Sequence, residues 1–270
     1  MQRNKAILAS LTLVAFLGAI NMARAAADDS ANVEQQEQAE NADLQNVKVD
    51  IANGKKIFEQ GKGEVPACNS CHGPEGMGDD NMGTPRLAGQ GMVYLVKELE
   101  DFAHDRRTDM TMSVMNFNAK GLTPSDRVDV AAYLSTKLSI VPDKLSSLKD
   151  LAAASQPVGK PYLGKEIVLY GIPSKDVPAC QSCHQFNGRG APPIYPQIGE
   201  QKYVYLMNQL KHWRDSSRAN DPLAQMRHVA DKLSDEDIQN VASYLITAPF
   251  TTMGDTFIPN YHLPVAFEAH

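Results

Sequence analysis

Two copies of one five-residue pattern, Cys68-Asn69-Ser70-Cys71-His72 and Cys180-Gln181-Ser182-Cys183-His184, start 112 residues apart and use all 4 cysteines of the chain. On one turn of helix, cysteines at i and i+3 share a face, and the histidine that follows projects beside them. C-x-x-C-H is the attachment pattern of a c-type haem, with a thioether from each cysteine and the histidine on the iron. Other uses of cysteine fit the order less well. A thioredoxin-like pair sits near a βαβ pattern and has no task for the adjacent histidine. Structural zinc ligands usually cluster within a few tens of residues, and disulfides in an exported protein give no reason for a Cys-Cys-His order seen twice. The sequence therefore predicts two covalently attached haem c groups, on Cys68 and Cys71 and on Cys180 and Cys183. His72 and His184 each supply one axial ligand.

The N-terminus gives a compartment. Arg3 and Lys5 precede an apolar stretch from Ala6 to Met22, and Ala23-Arg24-Ala25 reads as a cleavage site, with Ala25-Ala26-Ala27 competing. This is the pattern of a secretory signal peptide over residues 1–25. The apolar run is short for a span of about 20 residues, so the expected product is a periplasmic protein with no stable membrane insertion. Cleavage removes three basic and no acidic side chains, which takes the net charge from −6 to −9. Such an acidic chain is a poor partner for nucleic acid or anionic lipid. Residues 26–50 continue as an acidic leader, with seven Asp or Glu against Lys48 and no aromatic residue, the composition of a disordered segment.

From residue 51 the chain repeats itself. Gly54-Lys55-Lys56-Ile57 is echoed by Gly164-Lys165-Glu166-Ile167, and Val65-Pro66-Ala67-Cys68 by Val177-Pro178-Ala179-Cys180. Pro85, Gln90, Tyr94 and Leu95 match Pro196, Gln201, Tyr205 and Leu206 at a constant offset of 111. The expected organisation is one helical domain at 51–140, a linker at 141–160, a second domain at 161–248 and an unmatched extension at 249–270. Leu95, Leu99 and Phe102 fall at helical spacing, as do Leu206, Leu210 and Trp213. Later helices open at Thr123-Pro124-Ser125-Asp126 and Ser234-Asp235-Glu236-Asp237, each a hydroxyl cap with an acidic residue three positions on. No stretch alternates with period two, so the fold class is all-α, each half built around its own haem.

The sixth ligand decides the chemistry, since a second histidine lowers the potential, methionine raises it and an open position permits catalysis. His104, Met110, Met112 and Met115 are candidates in the first half, and His212, Met226 and His228 in the second. At the offset of 111, only Met115 and Met226 are methionine in both halves. A soft, neutral thioether suits a reversible one-electron carrier. Pro85 and Pro196 each either offer a carbonyl to the free nitrogen of the axial histidine or simply form turns. Tyr94 and Tyr205 either reach a haem edge or pack.

These residues together resemble the cytochrome c4 family, over roughly residues 51 to 248. The resemblance rests on the doubled C-x-x-C-H motif, the Gln-x-x-x-Tyr-Leu element after each and the paired methionines. It implies two tandem class I cytochrome c folds with axial pairs His72/Met115 and His184/Met226. It also implies a periplasmic electron carrier rather than an enzyme. Its donor would be a quinol-oxidising complex or a dehydrogenase, and its acceptor a terminal oxidase or reductase. The competing function is a diheme peroxidase-like enzyme, for which His228 and His104 are available as acid/base groups, or the cytochrome subunit of a periplasmic dehydrogenase.

Overall fold

Gly54 and Gly164 explain the architecture of each half. A computed structural model describes residues 48–248; the signal peptide, most of the acidic leader and the 249–270 extension lie outside the described residues. In the first half, α1 (Ile51–Gln60) crosses α5 (Pro124–Lys137) so closely that a β-carbon on Gly54 would sit 2.0 Å from the Asp129 carbonyl oxygen. In the second, α7 (Pro161–Tyr170) crosses α11 (Asp235–Leu245), and a β-carbon on Gly164 would sit 1.9 Å from the Asn240 carbonyl oxygen. Only glycine allows this approach, which accounts for its recurrence in the repeat.

Between these outer helices the order is the same in both halves. A one-turn helix, α2 (Asn69–His72) or α8 (Gln181–His184), carries the haem motif. A long helix, α3 (Met92–Ala103) or α9 (Tyr203–Arg214), and a short one, α4 (Val114–Lys120) or α10 (Gln225–Ala230), follow. Among the described residues there are isolated β-bridges but no extended strand. The expected all-α class holds. Ile57, Phe58, Leu95, Val130 and Leu134 form the first core, and Ile167, Val168, Leu206, Ile238, Val241 and Leu245 the second. Residues 141–160 are more than a tether: α6 (Leu148–Ala153) buries Leu151 in the second core.

Both expected helix starts are capping boxes, Thr123 with Asp126 and Ser234 with Asp237. Asp126 does more than cap. Its carboxylate accepts from Lys62 Nζ at 2.7 Å and from Asn53 Nδ2 at 3.0 Å, tying α5 to α1 and the turn that follows it. Burial pushes this carboxyl up, but hydrogen bonds from Lys62, Thr123 and Asn53 outweigh it and hold the group at about 2. A folded-state value below the unfolded one contributes stability that is present above the unfolded value and lost as pH falls. Asp126→Asn is therefore expected to lower stability at pH 7 and to flatten its decline between about pH 4 and pH 2. Urea unfolding at stepped pH reads this, and an unchanged acid limb would count against it.

Candidate haem centres

The short helices α2 and α8 do what the spacing requires. All four cysteines are free of disulfides, and among the described residues no cluster of three His, Cys, Asp or Glu could hold a metal ion. The zinc and disulfide readings therefore find no support. His72 and His184 are buried. His72 Nδ1 lies 3.0 Å from the Pro85 carbonyl oxygen and His184 Nδ1 lies 2.9 Å from that of Pro196. A carbonyl only accepts, so Nδ1 carries the proton in both rings and Nε2 keeps its lone pair. Burial pulls both imidazoles below their ordinary range, against the opposing carbonyl bond. Each is thus neutral, the form that binds a metal. Of the two roles open to Pro85 and Pro196, the carbonyl role is the one found. Two thiols on one helical face beside a neutral, oriented imidazole fit a c-type haem.

Met115 and Met226 occupy the second position of α4 and α10, and both are half-buried. Each follows two consecutive non-glycine residues in the left-handed region. Met112 and Ser113 have φ of 56° and 57°, and Leu223 and Ala224 both have 55°. Left-handed non-glycine residues persist only where the surroundings over-determine them, and here the same pair recurs at the same offset. The loops are also pinned alike, through Met115 N–H to Asp109 Oδ2 at 3.3 Å and Arg227 N–H to Asp221 Oδ2 at 3.0 Å.

These loops approach the haem motifs. Asp109 is close enough to His72 for its charge to act on the imidazole. In the second half the Tyr195 phenol lies near both Cys183 and Gln225, the residue before Met226, and the neighbouring Cys183 pushes its pKa up. The other candidates lie differently. Met110 and Met112 are 55% and 90% exposed. His104 turns its Nδ1 to the Glu100 carbonyl at 2.9 Å, on its own helix. His212 is on α9, and His228 is exposed on α10.

Sequence reasoning missed the polar junction between the halves. Tyr94, Glu98 and Asp101 form a second stripe on α3, facing the equivalent stripe on α9. Arg107 donates to Glu98 Oε2, to the Tyr205 hydroxyl at 3.1 Å and to Gln209 Oε1 at 2.9 Å. Arg218 mirrors it, 3.0 Å from Glu98 Oε2, 2.7 Å from Gln209 Oε1 and 3.4 Å from the Tyr94 hydroxyl. Each guanidinium also lies over an aromatic ring, Phe102 or Trp213. Tyr94 and Tyr205 thus serve this junction. Its signal in the sequence was that Arg107 and Arg218 are both arginine at the offset of 111.

Comparison with known proteins agrees with this geometry. The cytochrome c family profile matches residues 51–137 and 175–249. The chain is 36% identical to cytochrome c4 of Thiocapsa roseopersicina, over 72% of this chain and 95% of that one. It is 33% identical to the thiosulfate dehydrogenase electron acceptor of Stutzerimonas stutzeri, over 74% and 88%. The crystal structure of reduced cytochrome c4 from Pseudomonas stutzeri superposes with a TM-score of 0.60 at 30% identity, over 75% of this chain and all of that one. A thiosulfate dehydrogenase from Marichromatium purpuratum superposes with a TM-score of 0.64 at 32% identity; the match covers 74% of this chain but only 40% of that longer one. The chain belongs to the cytochrome c4 family, the diheme electron carriers built from two tandem cytochrome c folds.

Proposed function

We propose that His72 with Met115 and His184 with Met226 are the axial pairs, and that the carrier works in the periplasm between a dehydrogenase and a terminal oxidase or reductase. Each haem, when bound, supplies a one-electron ferric/ferrous couple of the raised potential that thioether ligation gives. The chain's own residues do the rest. Cys68, Cys71, Cys180 and Cys183 fix the cofactors covalently, and the prolyl carbonyls hold each imidazole with Nε2 free. The left-handed pairs before Met115 and Met226 preset the loops, so little has to reorganise when the charge changes.

The observation that carries the reading is the paired methionine on a twice-repeated strained loop. A dehydrogenase donor is favoured over a quinol-oxidising complex by relatives whose names make them acceptors for thiosulfate dehydrogenase. No helix of the described residues is long and apolar enough to cross a membrane.

The weak near-infrared band from methionine sulfur to ferric iron, quantified per haem in the exported holoprotein, tests the ligands. Two equivalents are expected; one or none would overturn the methionine assignment. Rapid reduction by a thiosulfate dehydrogenase turning over its substrate tests the donor. Co-purification of the two in fixed ratio would instead make the chain a dedicated subunit.

A further inference from the structure

Each haem-motif histidine is joined, through a single peptide group, to a glutamine of the opposite half. The peptide between Pro85 and Arg86 faces two ways. Its carbonyl accepts from His72 Nδ1 at 3.0 Å, and its N–H donates to Gln201 Oε1 at 2.6 Å. The Gln201 amide closes the clasp by donating Nε2 to the Arg86 carbonyl at 3.0 Å. The mirror image holds in the other half. The Pro196 carbonyl accepts from His184, the Gln197 N–H donates to Gln90 Oε1 at 2.9 Å, and Gln90 Nε2 donates to the Gln197 carbonyl at 2.9 Å.

Both glutamines are buried at 4% exposure. Their orientation is fixed, because each Oε1 also accepts a backbone N–H next to it in sequence, from Gly91 at 3.0 Å or Lys202 at 2.8 Å. Gln90 and Gln201 are the first residues of the repeated Gln-x-x-x-Tyr-Leu element, so the crossing is built twice. The grip on the first half is reinforced by Arg86, whose guanidinium reaches the Glu200 and Gly199 carbonyls at 3.1 Å.

We propose that Gln201 and Gln90 are positioning residues, each setting the basicity of the axial histidine in the half it does not belong to. A peptide whose N–H is engaged has a more negative carbonyl oxygen, and hydrogen bonds in series strengthen one another by about 10–30%. The stronger carbonyl draws on the histidine Nδ1–H, makes the imidazole a better donor to iron and favours the ferric state. The clasp also holds that carbonyl in place. Apposition of the halves thus sets both potentials, and it does so crosswise.

The inference rests on His72 and His184 being axial ligands, and the test separates the two ideas. In the holoprotein, haem resonances are assigned by through-space contacts to the Cys68–His72 or Cys180–His184 segment and followed through a redox titration. Gln201→Leu is expected to favour reduction of the first haem about threefold, about 28 mV for a one-electron couple, with the second haem unmoved. Gln90→Leu is expected to do the reverse. Gln201→Met, closer in shape and also without an amide, gives the same crossed shift if the leucine variant does not fold. Gln201→Glu keeps an acceptor on the Arg86 N–H and should not favour reduction of the first haem. Shifts in the variant's own half, in both halves equally or in neither would overturn the coupling. Native spectra without strongly shifted axial histidine ring protons would overturn the ligand assignment beneath it.

Discussion

Met226→His is expected to lower the reduction potential of the second haem by a few tenths of a volt and to leave the first nearly in place. Axial ligands and their surroundings move haem potentials over about 0.8 V, and exchanging a soft thioether for imidazole is a large step within that range. The loop that carries Met226 is pinned by Asp221 and preset by two left-handed residues, so the stiffer imidazole ring meets a fixed backbone rather than a yielding one. Met115→His is expected to move the first haem in the same way. Met112→His is the control, since Met112 is 90% exposed and its replacement should leave both potentials alone. Spectroelectrochemical titration resolves the outcome: one displaced wave per variant is expected. Unmoved waves with the Met226 variant would remove methionine from the iron.

Features decided within a few residues were legible in the chain. The C-x-x-C-H turns, the capping boxes at Thr123 and Ser234 and the stripes Leu95-Leu99-Phe102 and Leu206-Leu210-Trp213 depend on neighbours within about two helical turns. The repeat added a longer-range check, and Gly54 and Gly164 belong to it. What stayed hidden was the second stripe of α3. Nothing local distinguishes Glu98 and Asp101 from surface residues. Their partners across the junction are Arg218 and Asn220, more than a hundred positions away. The glutamines were visible as a repeated element, but their crossing depends on how two halves face each other. A single half does not contain that information.

Glu98→Gln is expected to destabilise the protein by about 3–5 kcal/mol, the usual result of removing one partner from a buried ion pair. Glu98 is the carboxylate that both junction guanidiniums share, and it also accepts from Lys97 Nζ at 3.1 Å and Asn220 Nδ2 at 3.1 Å. The position equivalent to it in the second half is the neutral Gln209. Glutamine at 98 would therefore leave Arg107 and Arg218 facing two amides and no anion in their shared site. Because both arginines touch both positions, the carboxylate can be moved across the junction. Glu98→Gln combined with Gln209→Glu is expected to recover much of the loss, though not the part carried by Lys97 and Asn220. Burial pushes the Glu98 carboxyl up, but Arg218, Arg107 and Lys97 outweigh it and hold it well below the ordinary carboxylate range. Its contribution is thus present above the unfolded value of about 4.3 and fades as pH falls below it. The gap between wild type and Glu98→Gln should accordingly narrow in acid. Chemical unfolding of all three proteins at pH 7 and pH 3.5 distinguishes the causes. A double variant no better than the single one would make shape, rather than charge, the property that Glu98 supplies to the junction.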